Sequence, residues 1–156
     1  MDTSITLIGL LIILLIAIPL IYAFRSNILN NAKIKEIKKQ YSNNHYDFSQ
    51  SEIQNKKNFS IDSKKKGFLF IDYSYKVETV YFIDINNILS CRLIPTTENN
   101  TDTILKIEFE LVYKKTLKKE LIPIYNIDNK FLDFNCLYED HELGKKWNQV
   151  INDCLS

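Results

Sequence analysis

The sequence predicts an α+β chain: an N-terminal transmembrane helix, then an antiparallel β-meander or partly open barrel closed by a C-terminal amphipathic helix. Three observations carry this. Residues 5–24 form a run of twenty without a charge. Residues 67–125 hold short apolar runs, rich in β-branched and aromatic residues, split by polar turns. Near the end, Leu143, Trp147, Val150, Ile151 and Cys154 fall at i, i+4, i+7, i+8 and i+11, which is one stripe of a helix.

The first element reads ITLIGLLIILLIAIPLIYAF, and thirteen of its twenty residues are Leu or Ile. At about 1.5 Å per residue it spans roughly 30 Å, the hydrocarbon thickness of a bilayer. A cleaved signal peptide would need a basic start and small residues before the cleavage point, whereas this chain starts Met-Asp-Thr-Ser and shows no A-x-A. A buried core helix would carry a polar stripe, and the run has none. Tyr22 falls where interfacial aromatics concentrate. Arg25, Lys33, Lys35, Lys38 and Lys39 follow the run and only Asp2 precedes it. The positive-inside rule then predicts a single-pass inner-membrane protein, N-terminus out, with those five residues at the membrane surface and the rest cytoplasmic.

Residues 25–57 read as a basic helical stalk and linker. From 25 to 66 there are ten basic residues against four acidic; from 68 to 156 there are ten against fourteen. The basic stretch could contact anionic lipid, but Ile, Asn and Lys are all abundant here, as an AT-rich genome would make them. The lysines are therefore read as setting topology. Residues 42–58, rich in Ser, Asn and Gln, read as linker, and Lys64-Lys65-Lys66 as a turn.

The cytoplasmic domain is placed at 58–156. GFLFIDY (67–73) and VETVYFI (77–83) read as a hairpin, and ILSCRLI (88–94) as a third strand ended by Pro95. ILKIEFELVY (104–113) alternates cleanly, with Lys106, Glu108 and Glu110 on a wet face. ELIPIY (120–125) follows; Pro123 cannot donate to a ladder, so this strand belongs at an edge. The C-terminal helix is expected to start at Asp140 as its N-cap, with Glu139 and Glu142 beside it at the positive end of the helix dipole.

About 90 residues of antiparallel strands closed by one amphipathic helix resemble a pleckstrin-homology-like domain, as found in small uncharacterised bacterial proteins. The resemblance covers 67–156 and lies in element order and patterning. The family fold has seven strands, of which five are placed here. It implies a binding or scaffolding module and carries over no site residues. The basic first hairpin loop of phosphoinositide binders is here Ser74-Tyr75-Lys76.

Composition excludes several classes. With 46% hydrophobic and 25% charged residues the chain is not disordered as a whole. A net charge of +1 gives no global field for nucleic acid. Cys91, Cys136 and Cys154 make no disulfide scaffold. The sequence has no H-E-x-x-H, C-x-x-C, G-x-S-x-G or Gly-rich phosphate loop. His141 lies in Glu139-Asp140-His141-Glu142, but adjacent helical residues diverge and do not converge on a metal. No catalytic, metal or cofactor site is therefore expected. The expected function is non-enzymatic: a membrane-anchored module holding an unknown protein partner, with Lys106, Glu108, Glu110 and Pro123 as the contact surface. An immunity or exclusion protein neutralising a toxin or invading element is the alternative, and a lipid-headgroup sensor the third reading.

Overall fold

The structure, a computed structural model, describes residues 3–42, 45–75, 77–98, 101–129 and 136–155, with the side chains of 3–7, 10 and 20–30 outside the description. Tyr22 and Arg25 as side chains, and Asp2 and Lys76 entirely, therefore lie outside the described residues. The chain divides into two units, Met1–Asn44 and His45–Ser156.

Helix α1, Thr3–Ser42, makes up the first unit and contains Pro19. Among the described residues, no helix is long and apolar enough to cross a membrane. This corrects the expected transmembrane anchor over 5–24. The single-pass inner-membrane location, the outward N-terminus and the cytoplasmic placement rested on that anchor and fall with it.

The second unit is α+β. Strands β1 (Gln50–Gln54), β2 (Lys57–Asp62), β3 (Gly67–Asp72) and β4 (Thr79–Asp84) form one antiparallel sheet in that order. A short 3-10 turn at Ile85–Asn87 leads to β5 (Ile88–Thr97), β6 (Ile104–Tyr113) and β7 (Lys119–Asn126), a second antiparallel sheet. Helix α2, Cys136–Leu155, follows. Where a single meander of four or five strands was expected, the described residues form two sheets with seven strands.

One face of each sheet and one face of α2 share a core. Phe59, Phe68 and Phe70 come from the first sheet, Ile107, Phe109, Leu111 and Ile122 from the second, and Leu143, Trp147 and Ile151 from the helix. Alternation along β6 follows the sequence reading, with Ile107, Phe109 and Leu111 buried and Lys106 exposed. Each edge strand of the second sheet carries a proline, Pro95 on β5 and Pro123 on β7. An edge is where a missing N–H costs no ladder bond, which is why β5 continues through Pro95 instead of ending there.

The stretch read as linker forms β1 and enters β2. Asn55 and Lys56, at φ 49° and 60°, make the two-residue turn between them, and two consecutive left-handed residues match the twist of a hairpin. Every residue of β2 is buried. Its core face carries Lys57, Phe59 and Ile61; its other face carries Asn58, Ser60 and Asp62. Those polar groups are satisfied: Ser60 donates to Asn58 Oδ1 at 2.8 Å, and Asn58 donates to Ser51 Oγ at 3.1 Å.

Asp62 closes the β2–β3 turn by accepting the backbone N–H groups of Asp47, Lys64 and Lys65 at 2.8–3.0 Å. Burial pushes its carboxyl up, but those three donors and the Lys65 charge outweigh it and hold the group below the usual aspartate value. A depressed folded pKa adds stability that is complete above the unfolded pKa, near about 4, and is lost as pH falls through the folded value. Asp62→Ala should therefore cost about 1–3 kcal/mol near neutral pH, the penalty for orphaned donors. The difference from wild type, followed by urea unfolding, should shrink in acid below about pH 4. A difference independent of pH would show that the carboxylate charge is not what holds this turn.

Leu117, at the β6–β7 turn, has φ 53° and is 66% exposed. A side chain in this region is strained by roughly 1 kcal/mol and here has little packing to offset it. Leu117→Gly should raise stability by about 0.5–1 kcal/mol, read as a higher denaturant midpoint; a lower midpoint would show that the leucine packs after all.

Candidate functional site

The four residues marked from sequence on the second sheet lie on one surface. Strand pairing sets Glu108 between Ile94 and Pro123, Glu110 between Arg92 and Leu121, and Lys106 between Thr96 and Asn126. Because side chains alternate across a pleat, all nine share the face turned away from the core. Glu108, Glu110, Ile94 and Pro123 are half-buried there, while Arg92, Lys106 and Leu121 are exposed, Leu121 by 51%. The Lys119 ammonium pairs with Glu110 at 2.8 Å. The surface therefore has the charges of Lys106, Glu108 and Glu110 along its central strand, with the apolar Ile94, Pro123 and Leu121 on the strands that flank it. A register shift between Ile107 and Glu108 skips Ile124 and lets Pro123 face Glu108.

The basic residues of the expected membrane surface belong to α1, in the first unit. Lys33, Lys35 and Lys39 are exposed on α1 and Lys38 is half-buried, its ammonium pKa lowered by that burial. With no described span on α1, nothing in the structure sets them at a bilayer.

Candidate nucleophiles and ligands are dispersed. Cys91 is buried in the core, and burial pushes its thiol up to about 12, which leaves no thiolate at neutral pH. Cys136 is the first described residue of α2, and His141 is half-buried on the same helix. His45 lines a cavity of about 360 Å³ with Asp47, Ser49, Asp62, Ser63, Lys64 and Lys65. Two aspartates balance the two lysines there, and Asp62 is already committed to three backbone donors. Among the described residues, no group of three or more His, Cys, Asp or Glu could hold a metal ion.

Sequence reasoning missed a second constellation. Asp140 is inside α2, one turn past its first described residue, so it is not the N-cap; it pairs with Lys57 Nζ at 2.7 Å, and neither side chain has any solvent exposure. Asn55 Nδ2 donates to its other oxygen at 3.0 Å. Asp72 stands directly across from Lys57 on β3, also buried, with Oδ1 accepting the Ser74 N–H at 2.8 Å. Asn129 donates to Ser74 Oγ at 3.0 Å and extends this polar corner to the end of β7. Burial pushes the Asp140 carboxyl up; Lys57 and Asn55 pull it back, and the balance stands above the usual aspartate value. One signal was available. Asp140 lies three, seven and eleven residues before Leu143, Trp147 and Ile151, so it belongs to the buried stripe. A carboxylate in that stripe demands a buried cation.

Comparison with known proteins adds no relative: no family model, no curated protein and no solved structure matches the chain.

Proposed function

We propose that residues 45–156 are a pleckstrin-homology-like, non-enzymatic binding module whose partner is a protein docking on the outer face of the second sheet. The order of a four-stranded sheet, a three-stranded sheet and a C-terminal helix supports the family reading. One observation carries the functional reading: Lys106, Glu108, Glu110 and Pro123 meet on a single face, beside the exposed Leu121 and with Arg92 opposite Glu110. Charges of both signs on the central strand, flanked by apolar positions on the two edge strands, give a protein partner apolar area to cover and charges to match, and matched charges select the partner. A toxin or a component of an invading element would be one such partner.

Photo-crosslinking from the native cell tests this. A crosslinking residue at Leu121 or Ile94 should trap one and the same protein, and one at Asn86, on the exposed 3-10 turn, should not. Glu108→Lys with Glu110→Lys should abolish the adduct, since reversed charges across an interface cost a matched partner several kcal/mol. Replacing His45, Cys136 and His141 together should leave it intact. Equal trapping from Asn86, or adducts indifferent to the charge reversal, would remove the face from the account.

A further inference from the structure

We infer that Lys57 and Asp140 condense to an intramolecular amide, a self-made covalent tie between strand β2 and helix α2. Two opposite charges with no solvent exposure are costly to keep as ions, because several kcal/mol of hydration are lost for each. Closure to an amide removes both charges.

The surroundings supply what that reaction needs. Nζ stands 2.7 Å from Oδ2, so the amine is held in direct contact with the carboxyl it would attack, and groups held together in this way react as if at very high concentration. Asn55 Nδ2 holds Oδ1 at 3.0 Å, so the carboxyl cannot rotate away and its carbonyl oxygen has a donor. Such a donor also stabilises the negative charge that develops on that oxygen during attack. Asp72, buried and across from Lys57 in the strand pairing, adds a negative charge that disfavours the ionised form of Asp140. The elevated Asp140 pKa supports the neutral acid, which is the form that reacts.

The step balances without an oxidant, a reductant or a co-reactant. A proton passes within the ion pair from Nζ to Oδ2, giving an amine and a neutral acid. Nζ attacks Cγ and the Nζ–Cγ bond forms. A second Nζ proton moves to Oδ2 within the adduct. The Cγ–Oδ2 bond breaks and Oδ2 leaves as water, with one hydrogen left on the amide nitrogen. Exclusion of solvent from the site then suppresses hydrolysis back to the acid. The tie would span 83 residues of sequence.

Mass spectrometry of the full-length chain, folded and then denatured, decides the matter. The wild-type chain should be lighter than its sequence by one water. Tryptic digestion should fail after Lys57 and yield a branched peptide that joins Lys57 to the segment bearing Asp140. Lys57→Met and Asp140→Ala should each restore the full mass. A wild-type chain at its full sequence mass overturns the inference. So does a water loss that survives Lys57→Met, which would mark a cyclic imide at Asp140 alone. Should Lys57→Met fail to fold, the presence or absence of the wild-type branched peptide decides on its own.

Discussion

Trp147→Ala is expected to destabilise residues 45–156 by about 3–5 kcal/mol, the usual cost of removing a large buried aromatic. Trp147 is 1% exposed, stacks on Phe59 at a centroid distance of 5.5 Å and lies 6.0 Å from Phe68. It is thus the joint between α2 and the first sheet, and alanine would leave a cavity bounded by two phenylalanines that cannot close on it. Its Nε1 also donates to Glu52 on β1 at 2.9 Å. Trp147→Phe separates the two roles: it keeps most of the packing, loses the hydrogen bond, and should cost about 1 kcal/mol. Far-ultraviolet circular dichroism in urea is the suitable measurement, because Trp147 is the sole tryptophan and its fluorescence disappears with it. A loss below about 1 kcal/mol for alanine would mean that α2 does not need its aromatic anchor.

Phe109→Ala should cost a similar amount, about 3–5 kcal/mol, through a different contact. Phe109 has no solvent exposure and meets Phe59 and Phe68 edge-on, at centroid distances of 6.4 and 6.3 Å and angles of 89° and 82°. It joins sheet to sheet, where Trp147 joins helix to sheet. The same strand supplies its own control. Lys106, exposed on the opposite face, should tolerate alanine within about 0.5 kcal/mol. Chemical denaturation of the two variants side by side measures the alternation directly. Comparable losses at both positions would contradict the register of β6.

Those two anchors were legible in the sequence for a physical reason: each sits in an element with one wet face and one dry face. Residues 104–113 alternate, and the α2 stripe repeats at helical spacing, so burial shows as a period. The same alternation placed Lys106, Glu108 and Glu110 together, and the missing N–H of Pro123 placed β7 at an edge. Strands β1 and β2 were not legible because β2 is buried on both faces and one of those faces is polar. Lys57 occupies a core position, while Asn58 and Ser60 are buried against each other and Ser51, so the stretch reads as a solvated linker. The turn that betrays the hairpin, Asn55-Lys56, carries no glycine. The Lys57–Asp140 pair was further out of reach, since only the fold brings a strand and a helix 83 residues apart into contact. Reading Asp140 as a helix cap followed the local rule, and the tertiary structure overrode it.

The prolines of the second sheet bear on how the protein behaves when many copies are crowded together. An open sheet edge is a template on which another chain can lay a strand, and repetition of that event builds a cross-β stack. Both edges of this sheet are interrupted, by Pro95 on β5 and Pro123 on β7. Each lacks a donor that an incoming strand would need, so a docking copy loses hydrogen bonds at either side. The chain can therefore carry Leu121, half exposed beside the β7 edge, without that leucine becoming the seed of a fibril.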